Sequence, residues 1–176
     1  NITALMLRFE DELIIERWQT FQPEISAADS ANGRSMLEGG GNPELVLSAS
    51  ELDRNRTNAS QFLERGLGQG DTDFMRTLFS TEYLQHNPFV PDGPGGVIGF
   101  VQSQGQIPVG VRYTVAQGDL VVTYSHYPAP DDDNAANQRG NAIFDLFRLD
   151  AEGQVAEHWD VVEATTVSER HINGWF

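Results

Sequence analysis

The chain has 176 residues, of which 39% are hydrophobic, enough for one well-buried core. Its net charge of −15 at pH 7 argues against nucleic acid and anionic membranes as partners. There is no cysteine and all eleven basic residues are arginine, which excludes disulfides, thiol nucleophiles and a lysine Schiff base. No apolar run has the roughly 18 residues of a membrane helix and no signal-peptide pattern is seen, so we expect a cytoplasmic protein, with secretion left open.

The first part of the chain predicts a hairpin followed by helices. Residues 5–22 alternate between apolar and polar types and break at Pro23, which is typical of a hairpin. Residues 23–50 are rich in Ser, Ala, Gly and Asn and are predicted to be irregular. Residues 51–70 predict a helix that runs toward a group of glycines.

A second helix is predicted to begin after Asp71, the expected N-cap, because Phe74 and Leu78 follow at helical spacing. Residues 83–90 are predicted to leave this helix as a short strand. Residues 91–104 then predict a turn and a short helix.

The second half of the chain has the period of β-strands. Residues 109–127 predict a hairpin that turns at 117–119, and residues 141–162 predict a longer one that turns at 150–153. Helices followed by antiparallel strands indicate an α+β fold, with the helices packed on one face of a curved sheet.

One group of ionisable side chains is predicted at the last hairpin. His158 and Asp160 share a strand face, and the turn length brings Asp145 opposite or diagonal to His158. When two carboxylates lie beside an imidazole, their pKa values can differ, so that one group acts as an acid and another as a base. The alternative is a surface ladder of opposite charges with no chemical role.

Other polar residues are weaker candidates. His86 and Asn87 stand before a proline, and Tyr124 and His126 share one face of their strand. No histidine has a recognisable metal-ligand spacing, so we expect neither a metal site nor a cofactor.

Two stretches together are similar to a known family. They are YLQHNPFVPDG at 83–93 and FDLFRLDAEGQVAEHWDVVE at 144–163, and they resemble the SnoaL-like polyketide cyclases of the nuclear-transport-factor-2-like superfamily. The resemblance covers about residues 35–176. It implies a cone-shaped α+β barrel, in which helices wrap a strongly curved, mostly antiparallel sheet around a deep pocket, and a dimer formed through the outer sheet face.

The resemblance also implies site residues and a reaction. Asp160 matches the acid/base of the cyclases, with His158 before it and Asp145 as a further candidate. The expected substrate is a small apolar carbonyl compound, and the expected chemistry is cofactor-independent aldol-type cyclisation or a related lyase or isomerase reaction. The residues expected to contact the ligand are His86, Asn87, Tyr83, Tyr124, His126, Phe147 and Trp159.

Two other functions stay open at this point. An epoxide hydrolase of the same superfamily would need an Asp–Arg–Asp set, which Asp145, Asp160 and either Arg112 or Arg148 would have to form. A non-catalytic module could hold a ligand or a partner chain in the same cone. Asn87 stands where ketosteroid isomerases have an aspartate base, and an amide cannot take that role.

The hairpin near the start resembles the last one. At an offset of 141, Glu16 matches Glu157, Trp18 matches Trp159, and Asn32-Gly33 matches Asn173-Gly174; with one gap, Arg8 matches Arg148. We therefore predict a partial domain copy at 1–34 before a SnoaL-like domain at 35–176, and a homodimer or an association with another copy. The predicted apolar face of the first hairpin, which should be buried, consists of Leu5, Leu7, Phe9, Leu13, Ile15 and Phe21.

Overall fold

The computed structural model describes residues 1–130, 139–165 and 175–176. Its strands are β1 (Ile2–Glu10), β2 (Leu13–Gln22), β3 (Phe79–Gln85), β4 (Gly110–Gln117), β5 (Leu120–Pro128), β6 (Gly140–Leu149) and β7 (Val155–Thr165). Its helices are α1 (Ala49–Gln61), which continues as a π-helical stretch (Phe62–Leu67), α2 (Thr72–Leu78) and α3 (Gly93–Gln104).

Five of the strands form one curved sheet in the order β3-β7-β6-β5-β4. Only the β3–β7 pair is parallel, and β4 to β7 are joined as antiparallel neighbours. Strands β1 and β2 form a separate antiparallel hairpin. The predicted α+β class and mostly antiparallel sheet are confirmed, although the sheet is not closed into a barrel.

The helices begin at the capping residues that the sequence contains. Ser48 and Glu51 form a capping box at the start of α1. Asp71 accepts the Phe74 amide at 3.0 Å at the start of α2, which confirms the predicted N-cap. Among the described residues no helix is long and apolar enough to cross a membrane.

The strand after α2 begins four residues earlier than the sequence pattern indicates. Phe79 was expected on the helix, but it starts β3 and pairs with Val155. Its ring packs against Phe62 at 5.3 Å and against Tyr83 at 4.7 Å. Burial of this ring between the helices and the sheet outweighs the local helical spacing.

The main core lies between the helices and the inner face of the sheet, which we define as the face that the helices cover. Its most deeply buried apolar side chains are Phe62, Leu63, Met75, Val101, Val121 and Phe147. This layer buries one side of β5, β6 and β7, and so it decides which residues of these strands can face the helices.

The hairpin β1–β2 packs on the opposite, outer face of the same sheet. Ile2 forms a small cluster with Met36 and Val161, and Trp18 packs on the cluster of Tyr124 and Phe144. The outer face of the chain's own sheet is therefore the partner of this hairpin.

The face that the hairpin buries is the other one from that predicted. Leu5, Phe9 and Leu13 are 51%, 58% and 68% exposed, and Ile15 and Phe21 are exposed as well. The buried face contains Ile2 and Thr20 instead. The prediction was wrong because Ile2, Met6 and Trp18 pack on the outer sheet face, whereas most side chains of the predicted set lie on the other face of the hairpin and are exposed.

The two hairpins share their cross-strand pairing. In each, an Arg–Glu pair is followed by a shift in register, and a tryptophan pairs with a long apolar residue two positions away. The matching pairs are Arg8–Glu16 with Arg148–Glu157, Met6–Trp18 with Leu146–Trp159, and Leu5–Gln19 with Asp145–Asp160. Asn173 and Gly174 of the predicted repeat lie outside the described residues.

Candidate active site

A cavity of about 200 Å³ lies between the helices and the inner sheet face. Most of its lining is apolar and comes from α3, from the strands and from the π-helical stretch Phe62–Leu67. Its polar lining residues are Gln85, Asn87, Tyr127, Asp145, His158 and Asp160. An apolar pocket with a few convergent polar groups is the usual form of a small-molecule site.

Strand pairing brings the ionisable groups of this cavity together. Asp145 on β6 pairs with Asp160 on β7. The next pair on the same face of the sheet, two residues along each strand, is Phe147 with His158. Asp145 is thus diagonal to His158, as the turn length indicated, and all three face inward. Asp145 is 2% exposed and His158 is 6% exposed, so this group is not a solvent-exposed charge ladder.

The hydrogen bonds of His158 define its proton positions. Gln85 Oε1 accepts a hydrogen bond from the backbone N–H of Asn87 at 2.8 Å, so this atom is an acceptor. His158 Nδ1 lies 3.1 Å from the same oxygen and must therefore be the donor of that hydrogen bond. His158 Nε2 faces Asp145 Oδ1 at 3.1 Å. Both ring nitrogens of His158 thus face oxygen atoms, Gln85 Oε1 and Asp145 Oδ1.

The two carboxyl oxygens of Asp160 differ in their hydrogen bonding. Its Oδ2 accepts a hydrogen bond from Asn87 Nδ2 at 2.6 Å. Its Oδ1 is buried and has no hydrogen-bond partner within the described part of the chain. Burial raises the pKa of Asp160 to about 6, and the Asp145 charge adds to this, whereas His158 and the Asn87 bond act in the other direction.

Two tyrosines next to this group remain hydrogen-bond donors. Burial is the main cause that raises the pKa values of Tyr83 and Tyr127 well above 10, and nearby carboxylates add to it. Tyr127 donates to Asp145 Oδ2 at 3.4 Å, and Tyr83 accepts from Gln85 Nε2 at 2.8 Å. Tyr127 can therefore offer a proton to a ligand oxygen, but it does not ionise at neutral pH.

Sequence reasoning missed Gln85 and Tyr127. Tyr127 lies on the same strand face as Thr123, and Thr123 pairs directly with Asp145. Counting the register across the β5–β6 pair from Asp145 would have placed Tyr127 in the cavity. No comparable signal marks Gln85, because its position depends on the parallel pairing of β3 with β7, two strands that are far apart in the sequence.

Several residues predicted to contact the ligand do not line this cavity. His86, Tyr124, His126 and Trp159 lie on the outer sheet face, so this part of the prediction is corrected. The physical reason is strand alternation, since each of them neighbours an inward-facing residue. Tyr83 and Phe147 belong to the core beside the cavity, and Asn87 lies in its wall.

A second polar network lies on the outer face. His86 Nε2 contacts Glu157 Oε1 at 2.8 Å, and Arg148 donates to Glu157 Oε2 at 2.9 Å. His86 also stacks on Trp159 at 4.9 Å. A Cβ on Gly39 would lie 2.0 Å from Glu157 Oε1, so only glycine lets segment 35–40 approach this closely.

This network rules out the Asp–Arg–Asp set that an epoxide hydrolase would need. Arg148 is bound to Glu157 on the outer face, and Arg112 lies over the ring of Phe176, which packs on His126. Neither arginine is among the residues that line the inner cavity, so that predicted set is wrong.

The inner group has the composition of a possible cation site. Asp145, His158 and Asp160 can each offer one ligand atom, and these atoms lie within 4.8 Å of one another. His158 Nε2 would have to leave Asp145 to bind a metal ion, and the two carboxylates would then favour a divalent cation. The expectation of no metal therefore stays a prediction.

A larger apolar cavity, of about 400 Å³, lies between β1, segment 36–40 and the outer sheet face. Trp159 and Phe144 form part of its wall. Asp160 borders this cavity as well, but Asn87, Asp145 and His158 line only the inner cavity, so the full group of polar side chains faces the inner one. We therefore treat the inner cavity as the candidate active site.

Comparisons with solved structures give the fold. A ketosteroid isomerase-like protein from Kribbella flavida is 12% identical, with a TM-score of 0.55 over 69% of this chain and 90% of that one. An LEH-like epoxide hydrolase from M. tuberculosis is 16% identical, with a TM-score of 0.51 over 64% and 85%. An isomerase-like protein of the SnoaL-like family from Agrobacterium tumefaciens is 13% identical, with a TM-score of 0.50 over 63% and 98%.

The fold is that of the nuclear-transport-factor-2-like superfamily. The predicted resemblance to this superfamily is thereby confirmed at the level of fold. A comparison of the sequence with family models finds no match, and a comparison with curated proteins finds none either. Nuclear-transport-factor-2-like proteins with isomerase, cyclase and epoxide hydrolase names share the architecture, so the reaction has to be argued from the site.

Proposed function

We propose that this chain is an acid/base enzyme that acts on a small apolar carbonyl compound, with Asp160 as the proton-transferring group. The observation that supports this best is the Oδ1 of Asp160, a buried oxygen beside an apolar cavity that has no hydrogen-bond partner among the residues that the structure describes. A buried polar atom without a partner is unfavourable, and such groups often have a chemical role.

The proposed step is proton transfer next to a carbonyl. Asp160 Oδ1 removes a proton from the carbon beside the carbonyl, and the electron pair of that C–H bond moves to the oxygen to form an enolate. Asn87 and Tyr127, both in the cavity wall, would donate hydrogen bonds to the enolate oxygen. Asp160 then returns the proton to another carbon. Alternatively, the enolate carbon attacks a second carbonyl and closes a ring, and the alkoxide that forms takes the proton back from Asp160.

His158 and Asp145 would support this step electrostatically. An imidazolium near Asp160 favours its ionised form, whereas the second carboxylate disfavours it. The balance leaves the pKa of Asp160 at about 6, close to neutral pH, where a group can both take and return a proton.

The size of the cavity limits the substrate. A dry protein cavity of about 150 Å³ can hold benzene. The inner cavity, of about 200 Å³, has space for a single-ring compound with one or two substituents. We therefore propose a monocyclic ketone or an open-chain precursor of one as the substrate.

For the assembly, we propose a homodimer or pairing with a further copy of the domain.

The test is a proton-exchange assay with simple ketones. The protein is incubated in D₂O with cyclohexanone or 2-cyclohexenone, and loss of the proton signal next to the carbonyl is followed by NMR. We expect exchange above the buffer rate, and we expect Asp160→Asn to reduce it by roughly 10²-fold or more. Asp73→Asn, the same change at a 99% exposed side chain on α2, is the matched control and should exchange at the wild-type rate.

The alternatives predict other results. A binding module would hold the ketones equally well in the wild type and in Asp160→Asn and would show no exchange in either. An epoxide hydrolase-like enzyme would show no exchange but would open cyclohexene oxide. The misplaced arginines disfavour the hydrolase, and no specific observation favours the binding module.

A further inference from the structure

The backbone groups at the edge of β7 beside Asp160 are hydrogen-bonded by a side chain and not by a neighbouring strand. The parallel strand β3 pairs with β7 only as far as His158, and the His86 amide then donates to the His158 carbonyl at 2.9 Å. Beyond this point β3 has ended, while β7 continues to Thr165. An uncovered strand edge next to an active-site residue would fray and admit water.

The side chain of Gln22 takes the place of that missing strand. Its Oε1 accepts the Val162 amide hydrogen at 2.9 Å, and its Nε2 donates to the Asp160 carbonyl at 3.4 Å. One side-chain amide thus provides the donor and the acceptor that a peptide group of a neighbouring strand would provide. The two bonds enclose the backbone from Asp160 to Val162.

Neighbouring contacts hold the end of β2 in position for this role. Thr20 is fully buried, and its Oγ1 donates to the Val161 carbonyl at 3.2 Å. The Phe21 amide donates to Glu163 Oε2 at 3.0 Å. Each of these contacts comes from the β1–β2 hairpin, which lies on the opposite side of the sheet from the cavity.

We infer that Gln22 is a positioning residue for Asp160, so that the hairpin β1–β2 supports the acid/base site through the edge of β7. This inference rests on the proposed function of Asp160. Gln22 does not touch the cavity, and it acts on Asp160 through the backbone. Its expected effect is to keep the Asp160 carboxyl next to Asn87 and away from bulk water.

The test is Gln22→Met, which keeps the length of the side chain and removes both hydrogen bonds. The matched control is Gln19→Met, the same change on the same strand, at a side chain that makes no hydrogen bond to β7 among the described residues. Amide exchange of Val162 is measured by NMR, and the Asp160 carboxyl is titrated by ¹³C NMR. Both measurements use the protein without substrate, so they do not depend on turnover.

For Gln22→Met we expect Val162 exchange to rise by roughly tenfold or more, with the Phe147 amide unchanged. We also expect the pKa of Asp160 to fall from about 6 toward 3.8, because water then reaches the carboxyl. Gln19→Met should match the wild type in both measurements.

Two outcomes would overturn the inference. One is wild-type exchange at Val162, which shows that Gln22 does not hold the strand edge. The other is faster exchange with an unchanged titration of Asp160, which makes Gln22 a structural cap without an effect on the site. Failure of the proposed function is distinct from both, because it appears as unchanged proton exchange in Asp160→Asn.

Discussion

Folding favours the protonated form of Asp160, because burial removes water from its ionised carboxylate. Its folded pKa of about 6 lies above the ordinary value of 3.8. Stability from this group is fully present below pH 3.8 and is lost as the pH rises through 6. The protein thus gives up stability at neutral pH by keeping this carboxyl buried, which fits its proposed role as the proton-transferring group.

Asp160→Asn should therefore stabilise the protein at high pH. Asparagine keeps an oxygen for the Asn87 bond and has no charge to bury. From the pKa shift we expect a gain on the order of 3 kcal/mol at pH 8 and almost none at pH 3.5, measured by urea unfolding. Asp145→Asn is the control and should destabilise the protein, because Asp145 accepts from His158 and Tyr127. A loss of stability in Asp160→Asn at pH 8 would make Asp160 a structural residue.

The pH dependence of proton exchange should follow the same group. If Asp160 is the base, only its ionised form reacts, so the rate falls below pH 6 by about tenfold for each pH unit. The measurement is the ketone exchange rate between pH 4 and 8. A rate that rises below pH 6 would assign Asp160 the role of general acid instead.

Asn87 should set the position of that pH profile. Its hydrogen bond to Asp160 favours the ionised carboxylate and lowers the pKa against the effect of burial. Asn87→Ala should therefore move the acid limb to higher pH. Because it also removes a proposed donor to the enolate oxygen, it should slow exchange over the whole range from pH 4 to 8 by roughly tenfold or more, and the midpoint of the profile separates the two effects. A profile with an unchanged midpoint would show that Asn87 does not tune Asp160.

At the scale of elements, the hairpins β1–β2 and β6–β7 share their cross-strand pairing. The Arg–Glu pair, the following register shift and the tryptophan pair recur in both. We propose that residues 1–34 are a partial copy of the domain, as the sequence repeat indicates. In this copy Leu5 and Gln19 occupy the positions of Asp145 and Asp160, so it has no acid/base pair and keeps a structural role.

Removal of residues 1–22 tests that role. Without the hairpin, the buried rings of Tyr124, Phe144 and Trp159 on the outer face lose much of their cover. We expect Tm to fall by roughly 5 °C or more and the mass in solution to rise through self-association. Leu13→Ser at the exposed tip is the control and should change neither. A truncated protein with unchanged mass and Tm would make the hairpin dispensable.

Local patterns in the sequence predict most of the elements but only part of the site. Asp71 as an N-cap and the two-residue period of β5 to β7 are local signals, and the structure agrees with them. The cluster of Asp145, His158 and Asp160 follows from a single turn length. Which strand face points inward depends on how helices pack on the sheet, so Tyr124 and Trp159 were expected in the cavity although they lie outside it.

Charge is the dominant property of the molecule as a whole. Its net charge of −15 is spread over one compact domain, and several arginines, including Arg34 and Arg65, are already paired with carboxylates. The remaining acidic groups repel one another in the folded state more than in the expanded unfolded chain. Salt should therefore stabilise this protein by screening, in addition to any effect on single ion pairs.

Thermal unfolding at two pH values tests this whole-molecule effect. Raising NaCl from about 0.01 to about 0.15 M shortens the screening length from about 30 to about 8 Å, which is less than the width of the domain. At pH 8 we expect Tm to rise by about 2–6 °C, equivalent to about 1–2 kcal/mol. At pH 4.4, close to the isoelectric point, the net charge vanishes and the same salt step should have little effect. An equal rise at both pH values would show that salt acts through something other than net repulsion.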